Sequence, residues 1–167
     1  MTTVRAAAPI PLPIETCWTY FRDLTRAKDY VPGLTDCVIV SDIKEGVGAS
    51  RIVSHRQFGD MHETVTTWNE GVGMIIRLHK GDAPPKPFKE ASFEYSFRRV
   101  SEGETEIHTA LHYTLPFGLL GRALDKAFLS RIFARNVIDT ACCLAENYRT
   151  GAPVPESEVP GLRANAL

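Results

Sequence analysis

The sequence predicts an α+β fold: a curved antiparallel β-sheet of about seven strands wrapped around a long C-terminal helix, with two short helices after the first strand. Three observations carry this reading. The middle of the chain, from Leu34 to Leu115, alternates apolar and polar residues in short runs separated by hairpin-length turns, and such short connections join antiparallel neighbours. The stretch from Arg122 to Thr150 contains neither Pro nor Gly. Its apolar residues recur at spacings of three and four, the period of one helix face. A curved sheet with one apolar face needs a cover, and this helix is the largest one available.

The elements follow in order. Thr2 to Ala8 reads as a strand that stops at Pro9, because proline cannot supply a ladder N–H. Ile14 to Leu24 reads as a short helix with Ile14, Cys17, Trp18, Phe21 and Leu24 on one face, and Thr25 to Tyr30 adds further helical turns before Pro32 and Gly33. Strands are then predicted at Cys37–Val40, Arg51–Phe58, Met61–Trp68, Met74–His79, Ala91–Val100 and Thr105–Leu115. Turns fall at 44–48, at Gly59-Asp60, at 69–71 and at 101–104, and the proline-rich segment 81–87 is a loop, read either as a lid over a cavity or as a stiff surface connection. Beyond Gly151, Pro153, Pro155 and Pro160 mark residues 151–167 as a loose tail to a single domain spanning 1–150.

Composition bounds the function. The 167 residues suffice for one sizeable core. Nineteen Lys and Arg against twenty Asp and Glu leave a net charge of −1, with no basic patch of the kind that binds nucleic acid. No apolar run nears the ~20 residues of a membrane span, and Met1 to Pro11 lacks a signal-peptide core. The chain therefore reads as cytoplasmic, without integral membrane association. Cys17 and Cys37 stand alone and Cys142 and Cys143 are adjacent, which is neither a metal-binding spacing nor a disulfide framework. No metal and no cofactor are expected.

Particular residues point to an internal cavity. Phe93, Tyr95 and Phe97 share one strand face, and Leu111 and Tyr113 share the next. With Val65, Thr67 and Ile76 on neighbouring strands, Trp18 from the first helix and Phe128 from the long one, they form the predicted lining. Arg131 falls on the helix stripe made by Leu120, Leu124, Ala127, Phe128, Ile138, Cys142 and Ala145, and Arg135 lies at its edge. Such a guanidinium either anchors a ligand oxygen, pairs with a carboxylate such as Glu63 or Glu15, or snorkels to solvent. Leu129 and Phe133 fall on the opposite face and suggest a subunit contact, leaving monomer or homodimer open. His108 and His112 share the outward face of their strand, and His55 and His62 flank the Gly59-Asp60 turn. None of these shows the convergent spacing of a metal site or of a Ser-His-Asp triad.

The order of elements resembles the helix-grip fold of the START-like (SRPBCC) superfamily, and within it the polyketide cyclase/dehydrase and lipid-transport family. The stretches that carry the resemblance are 10–18 leading into the first helix, 45–51, 63–69, 103–107 and 118–125, in order and at matching spacing from Thr2 to Arg149. The resemblance implies a hydrophobic or aromatic small-molecule ligand (lipid-, quinone- or polyketide-like) held between sheet and C-terminal helix. It also admits an enzyme of the cyclase/dehydratase type acting in the same cavity, since one scaffold hosts both.

Overall fold

The computed structural model describes residues 1–116 and 129–166. Seven strands form one sheet: β1 (Thr2–Ile10), β2 (Leu34–Ile39), β3 (Ser50–His55), β4 (Gly59–Asn69), β5 (Gly73–His79), β6 (Glu90–Arg99) and β7 (Thr105–Thr114). Their spatial order is β1-β7-β6-β5-β4-β3-β2, and every neighbouring pair is antiparallel. Helix α1 (Ile14–Phe21), a 3₁₀ turn (Leu24–Arg26) and α2 (Ala27–Tyr30) follow β1, and the long helix α3 (Ser130–Thr150) follows β7. This is the predicted helix-grip architecture.

Hairpins set the sheet's middle, but its closing pair is long-range: β1 lies along β7, with Thr2 opposite Tyr113 and Ile10 opposite Thr105. Pro9 sits inside β1 instead of ending it. The strand lies at the sheet's edge, where a missing ladder N–H is tolerated. The β3–β4 turn occupies residues 56–58, and Gly59 opens the return strand opposite His55, two residues earlier than predicted. Gly73 is fixed by close approach: a Cβ there would collide with the Tyr95 carbonyl oxygen. This glycine lets β5 begin tight against β6.

The long helix differs from its predicted phase. Its buried stripe runs Phe133, Val137, Ala141, Leu144 and Tyr148, spaced by three and four. Phe133, expected on the outer face as a subunit contact, packs instead against Phe88 and Tyr113 with ring centroids 5.1 and 5.0 Å apart. Arg131 and Arg135 flank it by two residues on either side, about 160° round the helix. Both are consequently exposed. The predicted start of the helix, from Leu120 to Phe128, lies outside the described residues. Gly151 ends the helix in the left-handed conformation (φ 72°), its N–H returning to the Asn147 carbonyl at 2.8 Å.

Residues after Gly151 are not the loose tail the prolines suggest. The Val154 N–H donates to the Asp29 carbonyl at 2.9 Å, and the Asn147 amide donates to the Ala152 carbonyl at 2.8 Å. A last helix, α4 (Val159–Ala166), then docks on α3. Val159 is buried there, and the Arg163 guanidinium grips Asp139 through two hydrogen bonds of 2.5 and 2.6 Å. Buried apolar side chains from the sheet, α1, α2, α3 and Val159 form one cluster.

Candidate functional site

The inner face of the sheet is built in transverse rows by register. Val65 faces Ile76, Ile76 faces Phe93, Phe93 faces Leu111 and Leu111 faces Val4. One rung along, Trp68, Met74, Tyr95 and Thr109 form the next row, and beyond it Phe97 lies opposite Ile107. Strand alternation therefore brings together Val65, Ile76, Phe93, Tyr95, Phe97, Leu111 and Tyr113, as the sequence predicts. Tyr95 and Phe97 meet Phe21 of α1 at 5.2 and 5.0 Å, and Phe97 stacks on Tyr148 of α3 at 6.4 Å.

The other end of this face is less closed. Phe93 packs on Tyr95 at 4.7 Å but is only partly buried. Phe88, from the loop before β6, and Phe133 of α3 surround Tyr113 and are also partly buried, as is Leu115. Partly buried apolar rings thus gather where loop, helix and inner face meet.

Several predicted site residues stand elsewhere. Thr67 leaves the inner face because β4 bulges at Thr66: Val65 faces Ile76, but Thr67 faces Ile75 on the outer side and Trp68 takes the inner position opposite Met74. Trp18 is buried at a corner. Its indole meets Trp68 at 5.0 Å, and both indole N–H groups donate to the two oxygens of Glu70, at 2.9 and 2.8 Å. Those bonds, Trp68's first, hold the Glu70 carboxyl below its usual pKa. Arg131 and Arg135 point to solvent, so neither anchors a ligand inside nor pairs with Glu63 or Glu15. Phe128 lies outside the described residues.

The interior charge belongs to a residue sequence reading passed over. Arg51 is 2% exposed and Glu63 8%. They face each other across β3 and β4, and the Arg51 Nε donates to Glu63 at 2.6 Å while its Nη1 donates to the Leu24 carbonyl at 2.5 Å. Burial alone would lower the Arg51 pKa, but Glu63 and weaker contributions from Tyr30, Cys37 and Tyr95 together raise it. A signal for this pair exists in the alternation: Arg51 shares a face with Val53, and Glu63 shares one with Val65. Glu15, the other suggested partner, instead pairs with Arg99 at the surface.

Two buried tyrosines, Tyr30 and Tyr95, lie by this pair at the floor of the inner face, and a third, Tyr148, packs on Tyr30 and Phe97. Desolvation pushes the Tyr30 pKa up to about 12, and raises those of Tyr95 and Tyr148 well above 10. All three are neutral phenols at physiological pH: hydrogen-bond donors, not bases. The four cysteines are free and buried, and burial raises the pKa of every thiol, Cys143 to about 12. On the outer face, His112 lies between Thr3 and Glu94 at 3.0 and 2.7 Å. His62 approaches His79 of β5, with ring centroids 5.5 Å apart, whereas His55 packs on Phe58. Among the described residues no group of three His, Cys, Asp or Glu side chains is placed to hold a metal, and no helix is long and apolar enough to cross a membrane.

Comparison with known proteins places this geometry. Solved structures share the fold at low identity. An aromatase/cyclase, Zhui, from Streptomyces sp. R1128 superposes with a TM-score of 0.70 at 12% identity, over 88% of this chain and 93% of that one. A START superfamily protein from Mycobacterium smegmatis gives 0.67 at 13%, over 90% and 99%. A protein from Thermus thermophilus gives 0.67 at 21%, also over 90% and 99%. No curated protein matches the sequence. The family model described as polyketide cyclase/dehydrase and lipid transport matches residues 1–144. The chain therefore belongs to the polyketide cyclase/dehydrase and lipid-transport family.

Proposed function

We propose that this protein binds a hydrophobic or aromatic small molecule, lipid-, quinone- or polyketide-like, between the inner face of its sheet and α3, in the cytoplasm. The observation that carries the reading is the partly buried set of rings at the less closed end of the inner face: Phe88 and Phe133 around Tyr113, and Phe93 on Tyr95. Rings left partly in water lose that contact with solvent when an apolar ligand lies on them, a gain of about 25 cal/mol for each Å² covered. The family supports this reading.

Binding is favoured over catalysis by the chemistry of the floor. Arg51 and Glu63 neutralise one another, and the surrounding phenols are held neutral, so the described inner face offers donors but no free base. A cyclase or dehydratase needs a group that takes a proton from its substrate. Titration with an apolar fluorescent probe tests the proposal. Phe93→Glu is expected to abolish the enhancement of probe emission, while Ser96→Glu on the outer face leaves it intact. Equal enhancement by the two variants would place the binding surface elsewhere.

A further inference from the structure

A hollow of about 420 Å³ opens where the sheet splits, and it shares Tyr113 with the site described above. Its origin is a split in the ladder. The pairing of β5 with β6 ends at Arg77 opposite Ser92. Beyond that rung β5 stays with β4, Leu78 facing Glu63 and His79 facing His62. Meanwhile β6 stays with β7, Ala91 facing Tyr113 and Glu90 facing Thr114. The loop carrying Asp82 and Pro84 bridges the two halves.

The hollow has an apolar floor and a charged rim. Leu78, Ala91 and Tyr113 line it and are each less than 10% exposed. Its two imidazoles are committed to the protein: His79 lies between Thr64 and the Gly81 carbonyl, and His112 between Thr3 and Glu94. Four charged side chains remain around the rim, Arg77 and Lys89 against Asp82 and Glu90, all exposed, and Met1 lies beside them. No ion pair among the described residues includes any of the four.

We propose that this cleft binds a small zwitterion with an apolar side group, the chemistry of a hydrophobic α-amino acid. A ligand carboxylate meets the Arg77 guanidinium, whose fork suits two carboxylate oxygens. The ammonium meets Asp82 or Glu90. The side group lies over Leu78 and Ala91, against Tyr113. The rim presents charges of both signs around an apolar floor. It favours a ligand that carries the two together.

Calorimetric titration of the full chain with L-phenylalanine, 3-phenylpropionate and phenethylamine tests this, because the three share a side group and differ in their charges. The amino acid is expected to bind, shifting the amide resonances of Arg77, Ala91 and Ser92, and each single-charge analogue to bind at least about tenfold more weakly. Arg77→Met should remove the preference for phenylalanine over phenethylamine. The pair Asp82→Asn with Glu90→Gln should remove the preference over phenylpropionate. All these positions are exposed, so the variants should fold. Absence of binding at millimolar concentration, equal binding of the three probes, or resonance shifts confined to Phe88, Tyr95 and Phe133 would overturn the proposal.

Discussion

Arg51 shows how a single residue can be read on the wrong side of an argument. A lone arginine on an apolar stripe demands a partner, and Arg131 meets that description when the helix phase is taken from residues 120–128. The arginine that does lie inside is Arg51, and its partner is supplied by strand register, a quantity fixed by the hairpin turn. Glu63→Gln leaves the Arg51 guanidinium buried at 2% exposure against a neutral amide, and is expected to cost about 3–5 kcal/mol in urea unfolding. The double variant Arg51→Met with Glu63→Leu should regain most of that, because no charge is left stranded. A double variant as unstable as the single one would show that the pair contributes more than mutual neutralisation. The thiols give a second test at this scale. All four are buried and pushed to higher pKa, so a thiol-exchange reagent at pH 8 should label none in the folded protein on the timescale that labels all four in guanidinium. Rapid labelling of any one would locate an opening in the core.

His55 adds a pH dependence of defined sign. Burial holds its pKa below the ordinary 6.5, so the unfolded chain takes up the proton more readily. Its contribution is complete above about pH 6.5 and is lost as pH falls below that value. Between pH 7 and pH 5 the His55→Gln variant should therefore lose less stability than the unaltered protein, by denaturant titration at each pH. Equal losses would mean that His55 titrates alike in both states.

At the scale of elements, the strands were legible because alternation has a short memory: each run declares its own inner face within a few residues. Phe93, Tyr95 and Phe97 needed no knowledge of the rest of the chain. Thr67 failed because one extra residue at Thr66 reverses the alternation within β4, and nothing in a threonine pair announces a bulge. The helix failed differently. A helix rotates by about 100° per residue, so a phase extrapolated from Leu120 and Leu124 puts Phe133 on the far side, whereas its real partners, Phe88 and Tyr113, come from the loop and the sheet. Gly73 tests the tightness of the β5–β6 contact. Gly73→Ala drives a methyl group into the Tyr95 carbonyl, and should lower stability by at least about 2 kcal/mol and disturb the near-ultraviolet signal of the aromatic rows. A neutral effect would mean that the strands separate there with ease.

For the whole molecule, the closing pair β1–β7 and the docked C-terminal segment are the parts that local pattern leaves undetermined, since both rest on contacts between segments far apart in the chain. Three prolines read as a loose tail because each breaks regular structure; what they do not encode is that the intervening residues return to α2 and α3. Removing residues 152–167 deletes the Val154 hydrogen bond to Asp29, uncovers the surface under Val159 and strips Asp139 of Arg163. The Asp139 side chain is only 10% exposed with the last helix in place, so truncation removes its cover together with its cation, and the loss falls on the two ion-pair hydrogen bonds and the Val159 contact. Chains ending at Gly151 and at Leu167 should therefore differ clearly in thermal midpoint. Asp139→Asn in the full chain should reproduce part of the difference by leaving Arg163 without its carboxylate, while the same change in the shortened chain, where that cation is already gone, should add little. If truncation leaves the midpoint unchanged, the last helix is an appendage to the fold, and the core is complete at Gly151.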